Sequence, residues 1–328
     1  MSYRPVFELN NEMLCLVADI AELAGRVNVS SGLDKNPTLR RENRIKTIHS
    51  SLAIEQNTLS LEQVTAVLGG KRVLAPPKDI EEVKNAFEIY ELMDTLDPYS
   101  QEDMLKAHGV LMRGLVKGAS AYRTEPAGIV DSESGKVIHV GTLWQYVPDI
   151  MSDLLSWLGN SDVHPLIKGC IFHYELEVIH PFLDGNGRLG RLWHTLIVSK
   201  WNALFAFIPV ETLIYRNQKA YYDCINACNR KVSANDFIVF MLELLKQALE
   251  EIAATCSLGT SQEQVEMLLD YCKEPRTRQE MQAFVGVEGR KAFHNNFLKP
   301  LLAAGKLEMT IPDKPNSRNQ KYRTVFCK

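Results

Sequence analysis

Apolar residues recur every three or four positions over most of the first 250 residues, which is the spacing of one face of an α-helix. Ile80, Val83, Phe87 and Tyr90 form such a stripe, and we expect Asp79 to cap the helix that carries it. We predict further helices over 38–54, 61–68, 101–115 and most of 143–249, with a glycine pair ending the second and the prolines of KRVLAPPKD interrupting the chain after it.

Two short β-branched runs interrupt the helical pattern between Arg123 and Gly141. The runs GIV and KVIHV flank DSESG, a sequence typical of a turn. This arrangement predicts a β-hairpin within about 122–142.

A different order of elements begins near residue 260. A helix is predicted over 263–271, Thr277 and Glu280 have the spacing of a capping box for a second helix, and a third is predicted over 289–302. Two strands are then expected around a loop rich in Pro, Asn and Ser. Three helices followed by a hairpin are the order of a winged helix.

These patterns predict a mostly α-helical protein in three parts. N-terminal helices occupy 1–100, a helical core with the hairpin occupies 101–250, and a winged-helix domain occupies 260–328. We expect the segment IAATCSLGTSQE, residues 252–263, to be the linker between core and tail.

Composition restricts the class of protein without indicating an activity. The chain has 328 residues, 45% of them apolar, which is enough for a sizeable core. It has neither a long apolar stretch nor a charged-then-apolar leader, so we expect no membrane-spanning helix and no signal peptide. The seven cysteines include no C-x-x-C pair, and an odd number suits reduced thiols in the cytoplasm.

The net charge of −3 is unevenly distributed along the chain. Residues 257–328 contain 12 Lys and Arg against 8 Asp and Glu, whereas the residues before them contain 25 against 32. A basic tail permits contact with DNA without requiring it, so a DNA-binding regulator stays open as an alternative to an enzyme. The candidates for phosphate contact are Arg278, Arg290, Lys291, His294, Asn295, Lys314, Arg318, Lys321 and Arg323.

The stretch HPFLDGNGRLGR, residues 180–191, contains G-x-G-x-x-G, the spacing of a dinucleotide-binding loop. Such a loop requires a buried strand before it and an acidic residue about 20 positions later. The preceding segment is long and polar, and the candidate acid, Glu211, lies close after Pro209, which disfavours a central strand. The sequence therefore disfavours binding of NAD.

The same glycines fit another kind of phosphate site. Gly185 and Gly187 precede a strongly helical segment, so their backbone N–H groups lie at a helix N-terminus, where an anion is favoured. Arg188 and Arg191 are one turn apart on that helix and project from the same side. Two guanidiniums beside an anion hole indicate a polyphosphate.

Two neighbouring residues complete this set. A carboxylate at Asp184 would repel phosphate unless it held a Mg²⁺ ion, and His180 is a base near neutral pH. The base, the metal ligand, the anion hole and the two arginines are together sufficient for phosphoryl or nucleotidyl transfer. A competing metal site of His173, Glu177 and His180 is disfavoured because Pro181 ends the helix there, and we expect His173 to pack in the core.

The motif resembles the signature of the Fic family, H-x-F-x-[D/E]-G-N-G-R-x-x-R, and matches it at every fixed position. The hairpin resembles the flap of the family. The stretch YYDCINACN resembles its nucleoside-side helix, and the stretch SSLAIEQN resembles its inhibitory helix. The resemblance implies a Fic-type helical bundle that transfers AMP from ATP to a Ser, Thr or Tyr hydroxyl of a protein, including its own. The flap would align the target by adding a strand of it to the hairpin edge.

The resemblance also implies a role for each matching residue. His180 would deprotonate the target hydroxyl, Asp184 would hold Mg²⁺ between the α- and β-phosphates, and Phe182 would anchor the loop. Tyr222 and Asn229 would border the adenine. The anion hole and the clamp on the β- and γ-phosphates would be formed by Gly185, Asn186, Gly187, Arg188 and Arg191.

The inhibitory pattern of the family is Ser or Thr, three residues, Glu, and then Gly or Asn. Ser51 and Glu55 match it, whereas Gln56 departs from it. Glu55 would pair with Arg191, so that ATP would bind with its α-phosphorus turned away from the attacking hydroxyl. Removal of AMP by a water that Glu55 positions stays open as an alternative, as does a homodimer.

Overall fold

The computed structural model describes residues 3–31, 37–130, 137–258, 262–287, 289–315, 317 and 319–325. The chain divides into two compact units, Met1–Glu251 and Ile252–Lys328. Both consist mainly of α-helices, as predicted. No helix in these described ranges is long and apolar enough to cross a membrane. The finer division at residue 100 stays a prediction.

The first unit is a bundle of helices with one β-hairpin. Its helices are α1 (Asn11–Ser31), α2 (Pro37–Ile54), α3 (Leu61–Leu68), α4 (Pro77–Leu92), α5 (Gln101–Leu111), α6 (Val147–Asn160), α7 (Pro165–Ile179), α8 (Asn186–Trp201), α9 (Val210–Arg216), α10 (Gln218–Lys231) and most of α11 (Asn235–Leu258). The strands are β1 (Gly128–Val130) and β2 (Val137–Val140).

Helices α7 and α8 form the centre of this unit. Nearly every side chain of α7 is buried, which is expected of a helix surrounded by protein on all sides. The two helices pack along each other, and α2 packs against α9, α4 and α3. The loop of the motif, residues 180–185, joins the C-terminus of α7 to the N-terminus of α8. The packing of this helix pair therefore fixes where the motif lies.

The predicted hairpin is present as an antiparallel pair. Gly128 pairs with Val140 and Val130 with Val137, with an irregularity in the register between Ile129 and Val130. The DSESG turn lies outside the described residues. The hairpin thus forms the two-stranded element that the resemblance to the Fic family implied.

The second unit follows the predicted order of helices and strands. Its elements are α12 (Gln262–Tyr271), β3 (Arg276–Thr277), α13 (Arg278–Phe284), α14 (Arg290–Phe293), a π-helical turn (His294–Leu298), α15 (Lys299–Ala303), β4 (Leu307–Met309) and β5 (Lys321–Thr324). Thr277 and Glu280 form the predicted capping box. The short strand β3 was not expected, and it completes an antiparallel sheet of order β3-β5-β4. The name winged helix stays a prediction.

Three predicted details of local structure were wrong. Asp79 does not cap α4, because Pro77 begins that helix and the Asp79 carboxylate accepts hydrogen bonds from the Thr58 N–H and hydroxyl groups. Helix α5 ends at Leu111, and Gly114 follows in a left-handed conformation with φ of 74°. The last predicted helix of the first unit was expected to end near residue 249, but α11 continues to Leu258, because the Ala-rich segment that follows favours a helix.

Candidate active site at the N-terminus of helix α8

The motif begins with a strained residue. His180 is the C-cap of α7 and adopts a left-handed conformation, with φ of 52° and ψ of 61°. Pro181 disfavours a right-handed helical conformation for the residue before it, so the chain turns sharply here. Left-handed backbone is uncommon outside glycine, and such residues cluster at functional sites.

Interactions within the protein fix the loop that follows. The Asn186 side chain donates to the Phe182 carbonyl and accepts from the Phe182 N–H, both at 2.9 Å. The Phe182 ring is fully buried and stacks on His108 with ring centroids 3.8 Å apart. This loop is therefore rigid, and its polar backbone is held at the N-terminus of α8.

His108 was not singled out from the sequence, but it supports the loop from α5. Its Nδ1 accepts from the Ser120 N–H at 3.3 Å, so Nε2 carries the proton and donates to the Asp184 carbonyl at 3.0 Å. Burial lowers the pKa of His108, which favours the neutral ring that this arrangement requires.

The two outer glycines of GNG have steric reasons to be glycine. Gly185 has φ of 85°, and a Cβ there would lie 2.6 Å from the Met112 sulfur. A Cβ on Gly187 would lie 2.4 Å from Oε1 of Glu55. Glu55 therefore occupies the space directly over the backbone that was predicted to receive phosphate.

Arg191 is enclosed by the last turn of helix α2. Its guanidinium donates to the Glu55 carboxylate at 2.7 Å, to the Ser51 carbonyl at 2.9 Å and to the Ser51 hydroxyl at 3.1 Å. Burial disfavours the charged guanidinium, but the adjacent Glu55 carboxylate outweighs it and raises the pKa of Arg191. The Arg191 side chain is 1% exposed, whereas that of Glu55 is 28% exposed.

Glu55 lies at the C-terminus of α2, in a turn that needs no glycine to form. The Asn57 N–H donates to the Leu52 carbonyl and the Gln56 N–H to the Ala53 carbonyl, which is the Schellman pattern. Gln56 adopts the left-handed conformation at φ of 67°. A carboxylate is disfavoured at a helix C-terminus, so the contact with Arg191 offsets the unfavourable position of Glu55.

Arg188 has two carboxylate partners. Its Nη1 donates to Glu82 on α4 at 3.0 Å, and its Nη2 donates to Asp184 at 2.8 Å. Glu82 and Arg188 are each 4% exposed, whereas the Asp184 side chain is 48% exposed. Glu82 was not singled out from the sequence, because nothing local distinguishes it from the other carboxylates of α4.

Asp184 fits the chemistry of a magnesium ligand. It is an accessible carboxylate beside a helix N-terminus, and Mg²⁺ is commonly held by one or two carboxylates together with phosphates of the substrate. The described residues contain no group of three or more metal-binding side chains.

A buried polar network lies beneath Arg191. The Tyr221 hydroxyl lies 3.0 Å from Nε2 of His173 and 3.3 Å from Oε1 of Glu177. Burial, together with the nearby Glu55 carboxylate, raises the pKa of Glu177 to about 7. His173 is fully buried, as predicted, and desolvation lowers its pKa well below the ordinary value. These residues are part of the buried core.

The two residues predicted to border adenine lie on α10. Tyr222 contacts the Tyr221 ring edge-on at 5.1 Å, and burial together with Glu55 raises its pKa. Asn229 accepts a hydrogen bond from the Tyr174 hydroxyl at 2.8 Å. Their role at the nucleoside stays a prediction.

Arg123 connects the base of the hairpin to the motif. Its guanidinium donates to the His180 carbonyl at 2.7 Å, to the Glu125 carbonyl at 2.9 Å and to the Thr142 carbonyl. Its backbone N–H donates to the Pro181 carbonyl at 3.0 Å. No sequence pattern indicated this role, because all these acceptors are backbone atoms.

The basic residues of the second unit are mostly exposed. Arg290, Lys291, His294 and Asn295 lie on or beside α14 with exposed side chains, whereas Arg278 is half-buried. Lys314 and Lys321 are exposed, Arg323 pairs with Glu308 at 2.5 Å, and Arg318 lies outside the described residues.

The chain is similar to known proteins over both units. A family profile described as Fic/DOC family matches residues 98–198, and one described as Filamentation induced by cAMP protein Fic-like, C-terminal domain, matches residues 263–324. Over 99% of both chains, with 43% identity and a TM-score of 0.76, the fold is similar to the crystal structure of a Fic family protein from Desulfovibrio desulfuricans G20.

Curated relatives carry a more specific name. The chain is 27% identical over 236 residues to protein adenylyltransferase fic-1 of Caenorhabditis elegans, covering 68% of this chain and 44% of that protein. It is 26% identical over 230 residues to protein adenylyltransferase Fic of Nematostella vectensis, covering 66% of this chain and 51% of that one. The chain thus spans about half the length of these relatives.

Proposed function

The chain belongs to the Fic family, and on this basis we propose that it transfers AMP from ATP to a hydroxyl side chain of a protein. The observation that carries the proposal is the geometry at the N-terminus of α8. His180 ends α7, the exposed carboxylate of Asp184 lies in the loop that follows, and the buried guanidiniums of Arg188 and Arg191 lie on the first turns of α8. The names of the curated relatives support the same activity.

The transfer forms one bond and breaks one. His180 takes the proton of the target hydroxyl, whose oxygen attacks the α-phosphorus of ATP. The bond from that phosphorus to the bridging oxygen breaks, and pyrophosphate leaves. Arg188 and Arg191 bind the β- and γ-phosphates as charge builds up on the leaving group. A Mg²⁺ ion held by Asp184 would neutralise part of the phosphate charge.

The proposal includes autoinhibition by Glu55. The carboxylate holds Arg191 and stands over Gly187, so it excludes a γ-phosphate by charge and by volume. The nucleotide would have to bind displaced from the position in which the target oxygen is in line with the α-phosphorus. Loss of that alignment slows the reaction by orders of magnitude.

Three proteins test both parts of this proposal. Wild type, Glu55→Gly and the double variant Glu55→Gly with His180→Ala are incubated with Mg²⁺ and α-labelled ATP, with and without cell lysate. We expect strong labelling of a protein band with Glu55→Gly, weak labelling with wild type and none with the double variant. A parallel reaction with γ-labelled ATP should give no label, because pyrophosphate carries that phosphorus away.

Each contrary result would reject a different part of the proposal. Label from γ-labelled ATP would show phosphorylation, and equal labelling by wild type and Glu55→Gly would remove the inhibitory role. Removal of AMP by the wild-type protein is tested separately, by adding it to a target labelled beforehand by Glu55→Gly. Loss of label would support the reverse reaction.

A second candidate function, binding of duplex DNA by the second unit, is favoured by the distribution of charge. The segment 289–307 contains Arg290, Lys291, Lys299 and Lys306 and no acidic residue. All four side chains are exposed, while the phenylalanines and leucines of the segment pack into the core of the unit. Elements α14, the π-helical turn and α15 form one helical stretch, residues 290–303. A helix whose exposed side carries cations and no carboxylate fits the phosphate backbone of DNA.

The shape of this helix has a local cause. Pro300 has no N–H to donate to the Asn296 carbonyl, and its ring would clash with that carbonyl in an α-helix. The π-helical turn His294–Leu298 accommodates the proline and leaves His294 and Asn295 exposed on the outer side. Asn is a side chain that pairs with adenine in the major groove.

Salt dependence of duplex DNA affinity tests this second candidate. We expect binding that weakens steeply with salt and is lost in the variant Arg290→Glu with Lys291→Glu. The matched control reverses two exposed lysines of the first unit, Lys71 and Lys84, and should bind as wild type does. No binding at low salt, or equal loss in the control, would reject a DNA site on this helix.

A further inference from the structure

The two arginines of the motif are held by carboxylates in different structural settings. Glu55, which holds Arg191, lies at the partly exposed end of α2. Glu82, which holds Arg188, lies within α4 and is almost completely buried. The first carboxylate is able to leave by a local change at a helix end, whereas the second is fixed by the packing of a whole helix.

Glu82 uses both of its oxygens. Oε1 accepts from Nη1 of Arg188 at 3.0 Å and lies 3.9 Å from the Lys78 ammonium group. Oε2 accepts from the Asn57 side-chain amide at 2.7 Å. Asn57 is two residues after Glu55 and also donates to the Asp79 carbonyl. Glu82 therefore connects the phosphate-side arginine to the turn that carries the inhibitory carboxylate.

The contact with Glu82 determines the direction in which Arg188 faces. Its Nη1 edge is held inside the protein by a buried carboxylate, and its Nη2 donates to Asp184 at the exposed edge of the site. A guanidinium fixed in this way presents the same edge to an incoming phosphate each time, without losing side-chain freedom on binding. Without a partner, the charge of Arg188 would be buried and uncompensated.

We propose that Glu82 is the positioning residue of Arg188: it stays bound to the guanidinium throughout the reaction and aims it at the β- and γ-phosphates. The inference rests on the proposed function, because it assigns Arg188 to a nucleotide. Glu82 and Glu55 then act in opposite directions. Removing Glu55 relieves inhibition, whereas removing Glu82 weakens the binding of phosphate.

The test uses Glu55→Gly as the parent protein. In wild type, Glu82→Gln would also disturb Asn57 and loosen the inhibitory turn, so two opposing effects would be mixed. The measured quantities are the dissociation constants of AMP, ADP and ATP by calorimetry. AMP lacks the phosphates that Arg188 would bind, so it reports damage to the rest of the site.

We expect Glu82→Gln to weaken ADP and ATP about tenfold and to leave AMP unchanged, as is usual when an outer partner of a ligand-binding group is lost. Glu82→Asp, which keeps the charge, should lie between the two proteins. The matched control is Glu88→Gln, the same change at an exposed carboxylate on the same helix, and it should bind all three nucleotides as the parent does.

A double-mutant cycle separates positioning from general damage. If Glu82 acts through Arg188, then Glu82→Gln should add no further loss of ATP affinity to Arg188→Gln. Additive losses, equal weakening of AMP, or unchanged ATP affinity in Glu82→Gln would overturn the inference. If Glu82→Gln does not fold, Glu82→Asp is judged by the same criteria.

The binding experiment is independent of group transfer. A parent protein that binds ATP but labels no target in any lane would contradict the proposed function and leave the role of Glu82 measurable. Normal labelling by the parent, with no selective effect of Glu82→Gln on ADP and ATP, would reject the positioning role alone.

Discussion

Gln56 is the residue whose replacement most directly tests the inhibitory turn. Its φ of 67° places it in the left-handed region, at the position after a helix where glycine is most favoured. Its side chain is exposed, so replacement by glycine removes no packing. We therefore expect Gln56→Gly to stabilise the protein.

The size of the effect follows from two opposing terms. The left-handed conformation costs a residue with a Cβ about 1–2 kcal/mol, which glycine would not incur. The greater freedom of glycine in the unfolded chain offsets about 0.4–1 kcal/mol of this gain. The free energy of unfolding should rise by about 0.5–1 kcal/mol, or about 1–4 °C in Tm for a unit of this size.

A firmer turn should also hold Glu55 more tightly on Arg191. If the basal transfer of wild type comes from local opening of this turn, it should fall by up to about fivefold, the population change that corresponds to 1 kcal/mol. Urea unfolding measures the stability, and labelling with α-labelled ATP measures the transfer. The same substitution combined with Glu55→Gly should not change transfer, because the inhibitory carboxylate is absent.

The control for this prediction is Gln56→Ala. Alanine shortens the side chain but keeps the Cβ, so the left-handed conformation remains costly and no gain is expected. A Gln56→Gly protein no more stable than Gln56→Ala would show that the turn is not strained. The reasoning from φ would then be wrong.

Three further predictions concern the surroundings of the site. Burial raises the pKa of Glu177 from 4.5 to about 7, so its stabilising contribution is present below pH 4.5 and is lost as pH rises through 7. Glu177→Gln should therefore flatten the decrease in unfolding free energy measured between pH 5 and 8. An unchanged slope would contradict this. Arg123→Ala should lower the free energy of unfolding by about 3 kcal/mol and speed proteolysis in the hairpin, because charged hydrogen bonds to backbone carbonyls are lost. Unaltered proteolysis would show that the hairpin does not depend on Arg123. Burial lowers the pKa of His108 below 6.5, so the neutral ring stabilises the fold above that value and stabilises it less as pH falls. In denaturant titrations, His108→Phe should therefore lose less unfolding free energy on acidification than wild type does. Equal losses would mean that the protonation of His108 does not change on folding.

Local sequence predicted the elements whose causes are local. Helix α3 was placed without error, because a polar cap precedes its apolar face and two glycines follow it. The capping box at Thr277 was also confirmed. The cap predicted at Asp79 was wrong, since its carboxylate has partners on Thr58, 21 residues earlier, that no local pattern announces.

The candidate site also has a part that local sequence predicted and a part that it did not. The motif 180–191 is contiguous, so its residue types and spacing are sufficient by themselves to indicate an anion site, a base and a metal ligand. The opposing pair, Glu55 and Arg191, is 136 residues apart, and only the resemblance to a family brought the two together. The packing of α2 on the core places one against the other.

The residues that hold the motif in place were decided by tertiary structure alone. His108, Arg123 and Glu82 are each more than 50 residues from their partners in the motif, and in sequence they resemble ordinary helix or loop residues. Two of them bind backbone carbonyls, which carry no sequence signal. The sequence by itself determined which chemistry is concentrated in twelve residues, whereas the direction in which each group faces depends on distant helices packed around them.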